Sequence, residues 1–153
     1  MHLVTKMLKK IIIENFKSFK NAEIDLKNFN FLVGSNASGK SNFLDAIDFI
    51  SSDEPFRELI NKKGGYNAIS FGGLKNISFT CEFNIKENSY IYKFEISNRE
   101  KVPQLEYEKL QLIKKTIFKI KRNENGLFSL YINNEKSPLN IDIIHEKQLP
   151  WFV

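Results

Sequence analysis

One cysteine and two histidines in 153 residues leave little material for a metal centre or a disulfide framework. Cys81 falls inside an alternating apolar and polar stretch. It reads as a small core residue in a reducing compartment rather than a ligand or nucleophile. His2 and His145 lie far apart and match no metal-ligand spacing. Long apolar runs are also missing. None approaches the roughly 18 residues needed to span a bilayer, and Ile11-Ile12-Ile13 is stopped too soon by Glu14 to serve as a secretory signal. No membrane contact is expected, and the cytoplasm is the expected compartment. Neither internal repeats nor a low-complexity linker interrupts the chain.

What is present fits one domain with a real core. Hydrophobic residues make up 42% and charged residues 27%, ordinary values for a globular protein. Phenylalanine is abundant at 14 residues, so aromatic packing should dominate the interior. The net charge of +5 permits an acidic partner without establishing one.

The most informative segment is Gly34-Ser35-Asn36-Ala37-Ser38-Gly39-Lys40-Ser41, which matches the phosphate-binding pattern G-x-x-x-x-G-K-S/T. The glycines allow a backbone path whose N–H groups point inward at phosphate oxygens. At that spacing Lys40 reaches the β- and γ-phosphates, and the Ser41 hydroxyl ligates Mg²⁺. Phe29-Asn30-Phe31-Leu32-Val33 precedes the loop and predicts a buried strand. After it, Phe43, Leu44, Ile47 and Ile50 recur at helical spacing. The loop is therefore expected between a strand and a helix N-terminus, where the dipole favours anions.

Elsewhere, Lys10 to Phe16 and Ala22 to Leu26 read as strands. Pro55 opens a short helix through Ile60, closed by Gly64-Gly65. Tyr66 to Gly73 reads as a loop or a short strand. From Ile77 to Ile85 apolar and polar residues alternate with a period of two. Lys86 to Ser89 is a turn, and Tyr90, Tyr92, Phe94 and Ile96 share one face of the next strand. Ser97 to Pro103 is expected as a loop. Leu105 to Leu112 is strand-like with a phase change near Lys109 that suggests a bulge. Thr116 to Arg122 and Leu127 to Ile132 flank Asn123-Glu124-Asn125-Gly126, a hairpin signal. Residues 74–132 thus predict an antiparallel meander of four or five strands. The expected class is α+β with a partial α/β element, a strand–loop–helix unit combined with an antiparallel lobe. One domain would comprise 7–65 with the phosphate loop, the lobe at 74–134, and a carboxy-terminal segment at 135–153. A small phosphate-loop kinase, which alternates strands and helices from the loop strand onward, fits this order poorly.

The segments Ile11-Ile12-Ile13-Glu14-Asn15-Phe16-Lys17-Ser18-Phe19 and Phe29 to Ile47 resemble the amino-terminal end of an ABC-type ATPase head. The group resembled includes RecF, the SMC proteins, and the ATPases of OLD-type nucleases and antiphage systems. The likeness is close over roughly the first 50 residues, and the later lobe matches only in type. The pattern N-F-K-S-F, then G-x-N-x-S-G-K-S-N-x-L-D-A-I, is more specific than the loop alone. Starts of this family suggest that Met7 is a typical beginning and Met1 to Lys6 an extension.

The resemblance implies ATP and Mg²⁺ as ligands. Gly34, Ser35, Asn36, Ala37, Ser38, Gly39, Lys40 and Ser41 would wrap the triphosphate. Asn42 would lie at the helix start near the α-phosphate. Lys17 and Ser18 fall where the first-strand turn approaches the nucleotide, with a solvated turn as the plainer reading. Arg57 lies where some SMC-type heads place an arginine facing nucleotide or DNA. Its plainer reading is a surface helix residue. Gln148 is a candidate Q-loop glutamine, against a plain polar residue near the terminus. The implied partners are the remaining ATPase half or a second head, with DNA and an associated nuclease as further candidates.

Two elements such an ATPase requires are absent from the sequence. No apolar run ends in Asp-Glu to order Mg²⁺ and polarise water; Asp142 follows only Ile141. No Leu-Ser-Gly-Gly-like signature occurs either. The expectation is an incomplete head that binds ATP and needs a partner or a missing half for hydrolysis. The alternative is a non-catalytic nucleotide-binding or structural module. An incomplete head would also leave Phe31, Val33 and part of the 43–50 helix uncovered, favouring association. Lys114 to Arg122 is basic, with Lys115, Ile117, Lys119 and Lys121 expected on one strand face. That face reads either as a DNA-phosphate contact or as the lysine-rich guard of an edge strand.

Overall fold

The computed structural model describes residues 6–52, 54–73, 76–112, 115–122 and 128–136. Gln148, Asp142, both histidines, the 123–126 turn and nearly all of the 135–153 segment lie outside them. The elements run β1 (Lys6–Phe16), β2 (Phe19–Asp25), α1 (Lys40–Ser51), α2 (Phe56–Lys62), α3 (Tyr66–Ile69) and β3 (Ile77–Ile85). They continue with β4 (Asn88–Arg99), β5 (Val102–Leu112), β6 (Lys115–Arg122), β7 (Phe128–Ile132) and β8 (Glu135–Lys136).

The eight strands form one sheet in the order β2-β1-β3-β4-β5-β6-β7-β8, and neighbours pair antiparallel throughout. The architecture is mostly antiparallel sheet with few helices. The junction is the β1–β3 pairing, where Ile11 faces Cys81 and Ile13 faces Phe79. It continues the meander directly into the hairpin that precedes the loop.

The period-two pattern decides the core. Ile77, Phe79, Cys81 and Phe83 turn inward on β3, beside Tyr92, Phe94 and Ile96 of β4 and Ile11, Ile13 and Phe16 of β1. Phe43, Ala46, Phe49 and Ile50 of α1, Phe56, Leu59 and Ile60 of α2, and Tyr66 and Ile69 of α3 complete one cluster with them. Phe79 sits among three rings, with centroids 5.2 Å from Phe16, 5.6 Å from Phe49 and 5.2 Å from Phe94. Cys81 is buried in this cluster, and burial pushes its thiol up to about 12.

Several expectations are corrected. Residues 29–33 form no strand, and Phe29, Phe31 and Val33 are 85%, 90% and 93% exposed. A strand needs a neighbour for its backbone N–H and C=O groups, and no described strand lies alongside this segment. Residues 97–103 are not a loop. β4 and β5 continue to a tight turn at Glu100-Lys101, with φ of 51° and 65°. Two consecutive positive φ values usually call for Asn-Gly, so Glu-Lys hides this hairpin from sequence reading. The bulge lies away from Lys109: the β4–β5 register slips at Glu106, and the β5–β6 register slips at Ile117. Residues 66–69 are helical, and Ser70 bridges Phe16. Within 74–132 the described strands are the five from β3 to β7, in line with the expected four or five, and β8 adds a short rim beyond them.

One acidic side chain is buried among the described residues. Glu108 is buried on the inward face of β5 and accepts a 2.6 Å hydrogen bond from the Tyr92 hydroxyl. Burial raises the Glu108 carboxyl above its ordinary value, and the Tyr92 bond only partly opposes this. A carboxyl whose folded pKa is raised favours the fold in its protonated form. Its contribution is therefore lost as pH rises from the unfolded value through the folded one. Glu108→Gln, which keeps an acceptor for Tyr92, should flatten this loss. Urea unfolding between about pH 4 and pH 7 should show the glutamine variant gaining on wild type as pH rises. Tyr92→Phe leaves the carboxylate unpaired and should cost about 1–3 kcal/mol.

Candidate functional site

The loop from Gly34 to Ser41 departs from regular structure where its sequence permits. Ala37 and Gly39 take φ of 63° and 94°. Gly39 is the N-cap of α1 and accepts the first helical bond, from the Phe43 N–H, at 2.9 Å. The N–H groups of Lys40, Ser41 and Asn42 occupy the first helical turn and have no acceptor within the helix. Residues Asn36 to Asn42 all line an open cavity of about 460 Å³. The loop therefore curls its backbone around a space faced by a helix N-terminus, the arrangement that attracts anions.

Lys40 folds back over this loop. Its Nζ donates to the carbonyls of Gly34 at 2.8 Å and Ser35 at 2.6 Å, and to Ser38 Oγ at 3.3 Å. The ammonium is thus held against the loop by neutral acceptors, which a phosphate oxygen can replace with a stronger, charged bond. Ser41 is exposed at the start of α1, in the cavity lining, so its hydroxyl is free to meet a cation there. Among the described residues no cluster of three or more His, Cys, Asp or Glu side chains could hold a metal by itself. A Mg²⁺ ion at this loop would accordingly be held by Ser41 together with phosphate oxygens, which suits its preference for few protein ligands.

The β1–β2 turn packs against the loop. At Gly39 the φ of 94° calls for glycine, while the space beside it is ordinary: a Cβ would sit 3.4 Å from Ser18 Oγ and 3.6 Å from the Phe19 ring. Asn42 Nδ2 donates to Ser18 Oγ at 2.8 Å. The turn is anchored from behind, because the Lys17 N–H bonds the Ile69 carbonyl at 2.7 Å and the Phe71 N–H bonds the Asn15 carbonyl at 2.8 Å. Ser18 and Asn42 are thereby brought to the loop.

Lys17 is turned elsewhere. Its ammonium pairs with Asp45 on α1, and Lys63 reaches Asp45 at 3.3 Å and Asp48 at 2.7 Å. The Lys17 bond, aided by Lys63, holds the Asp45 carboxyl below its usual value against the opposing effect of burial. Lys63, though partly desolvated, is raised by its bonds to Asp48 and Asp45. This network ties the first turn and the end of α2 to α1. Sequence reasoning marks Lys17 but misses Asp45 and Lys63; the only local signal is Asp45 one helical turn after Ser41. Arg57 is not part of the loop either. Its Nε donates to the Pro103 carbonyl at 3.1 Å, and its guanidinium lies 5.9 Å from the Phe56 ring centroid. Gln148 lies outside the described residues.

A family model described as an AAA ATPase domain matches residues 7–150. The chain belongs to this AAA ATPase domain family. Within it the likeness is to the SMC and RecF kind. The chromosome partition protein Smc of Methanocaldococcus jannaschii is 37% identical over 84 residues, covering 54% of this chain and 7% of that protein. The DNA replication and repair protein RecF of Glaesserella parasuis is 28% identical over 108 residues, 65% of this chain and 30% of that protein. Structural maintenance of chromosomes protein 3 of Saccharomyces cerevisiae is 47% identical over 51 residues, 31% of this chain and 4% of that protein. The segments matched by this chain thus cover less than a third of each of these relatives. Membership implies nucleotide binding, generally with Mg²⁺. No described helix is long and apolar enough to cross a membrane.

Proposed function

We propose that this chain is the ATP-binding part of a RecF/SMC-like ATPase that acts on DNA, in repair or in antiphage defence. ATP would lie with its triphosphate in the loop at 34–41, and Mg²⁺ would be held by Ser41. The observation that carries this reading is the cavity lined by Asn36 to Asn42 at the N-terminus of α1, with Lys40 in its lining and its ammonium bonded to the Gly34 and Ser35 carbonyls. Lys40 would exchange the Gly34 and Ser35 carbonyls for phosphate oxygens. The first-turn N–H groups would satisfy further oxygens, and Asn42 would stay fixed by Ser18 beside the α-phosphate.

Hydrolysis would need a partner, either the remaining ATPase half or a second head. The sequence carries no Asp-Glu-terminated apolar run and no Leu-Ser-Gly-Gly-like signature. The exposed row Phe29, Phe31 and Val33 beside the loop supports the same dependence, since an apolar row of this kind is stabilised by being covered. An associated nuclease is a further partner of this reading. Calorimetric titration with ATP, with and without Mg²⁺, tests the first claim, and phosphate release tests the second. Saturable, Mg²⁺-enhanced binding without turnover is expected. Turnover by the isolated chain would remove the partner requirement, and failure to bind ATP would remove the nucleotide reading altogether.

A further inference from the structure

The outward face of the sheet carries a row of like charges across internal strands. Lys93 on β4 stands directly opposite Lys109 on β5, and Lys109 directly opposite Lys119 on β6. The same row runs on to Tyr131 on β7 and Lys136 on β8. Cross-strand like charges are destabilising, and among the described residues none of these lysines has a carboxylate within salt-bridge distance. Edge protection does not account for them. β6 pairs with β5 on one side and β7 on the other, and β4 and β5 are likewise internal. The basic character of residues 114–122 therefore serves something other than a bare edge.

Aromatic rings are interleaved with the charges. Lys119 Nζ lies 5.9 Å from the centroid of Tyr107 and 5.5 Å from that of Tyr131. Both rings are half-buried and belong to the outward rows. A row of lysines rooted on strands roughly 4.8 Å apart, flanked by rings on an open sheet, suits a chain that offers phosphates and unstacked bases together. Duplex DNA offers the phosphates but keeps its bases stacked inside.

We propose that this face binds single-stranded DNA, with Lys93, Lys109 and Lys119 contacting successive phosphates and Tyr107 and Tyr131 stacking bases. The inference rests on the reading of DNA as a partner and adds the surface and the form of DNA. It does not depend on the nucleotide loop, which lies at the other end of the sheet order beside the β1–β2 turn.

Fluorescence anisotropy of the full chain with labelled oligothymidylate of roughly 20 nucleotides tests it across about 50–200 mM salt. Three phosphate contacts predict a log–log salt slope near −2, at about −0.7 per contact on a single strand. Lys109→Gln and Lys119→Gln should each reduce the slope by about 0.7. The double substitution should weaken binding at low salt by roughly tenfold or more. Tyr131→Leu should weaken binding by about tenfold with the slope unchanged. Lys86→Gln, in the β3–β4 turn, removes the same charge elsewhere and should leave both unchanged. Thermal unfolding of the lysine variants should stay near that of wild type, with relief of repulsion offsetting the lost ring contacts of Lys119, and this measurement separates lost binding from lost fold. DNA binding that ignores the row, or follows Lys86 equally, would overturn this surface while leaving a DNA partner standing. Tighter binding of duplex DNA or oligouridylate would overturn the single-stranded DNA assignment. No binding at low salt by a chain that binds ATP would overturn the surface and the DNA partner together.

Discussion

Lys40→Ala should reduce ATP affinity by at least about 100-fold, or about 2.8 kcal/mol. A charge-assisted hydrogen bond contributes about 1.5–3 kcal/mol, and Lys40 can make two to phosphate oxygens. Against that stands what it surrenders. In the free loop its ammonium already bonds the Gly34 and Ser35 carbonyls at 2.8 and 2.6 Å. Those are neutral acceptors close to water, so the exchange still favours phosphate. The substitution removes the charge without touching the core, because Phe43, Ala46, Phe49 and Ile50 form the buried side of α1. Thermal unfolding of the variant should accordingly stay near that of wild type while titration loses the ATP signal. Unchanged ATP affinity would remove Lys40 from the site. Lys40→Arg is an informative companion. It keeps the charge but places a broad planar group where the loop accommodates a compact ammonium, so it should recover little of the loss.

Phe79→Ala should lower stability by about 3–5 kcal/mol. Phe79 is fully buried at the centre of the sheet, between β1 and β4, and its ring meets those of Phe16, Phe49 and Phe94. Truncation removes the apolar transfer of the ring and leaves a cavity lined by three rigid aromatics that cannot easily collapse into it. A domain of this size is stabilised by only about 5–15 kcal/mol, so the variant should unfold at markedly lower urea or not accumulate as folded protein. Leu44→Ala is the contrast on the same unit. Leu44 is 58% exposed, and its loss should change stability by less than about 1 kcal/mol. Equal effects of the two substitutions would contradict this packing.

The two results bear on different parts of the molecule, and those parts are unequally legible. The alternation of Ile77, Phe79, Cys81 and Phe83 with polar residues announces β3 and its inward face, because a period of two leaves one solution once one face is apolar. The helical spacing of Phe43, Ile47 and Ile50 announces α1 in the same way. The Glu100-Lys101 hairpin is not legible, because its two left-handed residues carry none of the usual glycine or asparagine signals. The segment 29–33 reads as a strand by its apolar composition. A strand, however, is a relation between two chains of backbone, and apolar residues do not supply the neighbour.

The sequence by itself determined the chemistry on offer: a loop of fixed spacing with Lys40 and Ser41 at its end, a helix to follow it, and an alternating meander. These are local properties, set by residue type and period. Only the tertiary structure decided which side chains meet. It turned Lys17 to Asp45 and left Ser18 with Asn42 beside Gly39. It placed Arg57 on the Pro103 carbonyl. It set β6 inside the sheet, so that three lysines from three strands stand in one row. Each of these depends on register and on contacts between residues distant in the chain, and neither composition nor local spacing encodes them.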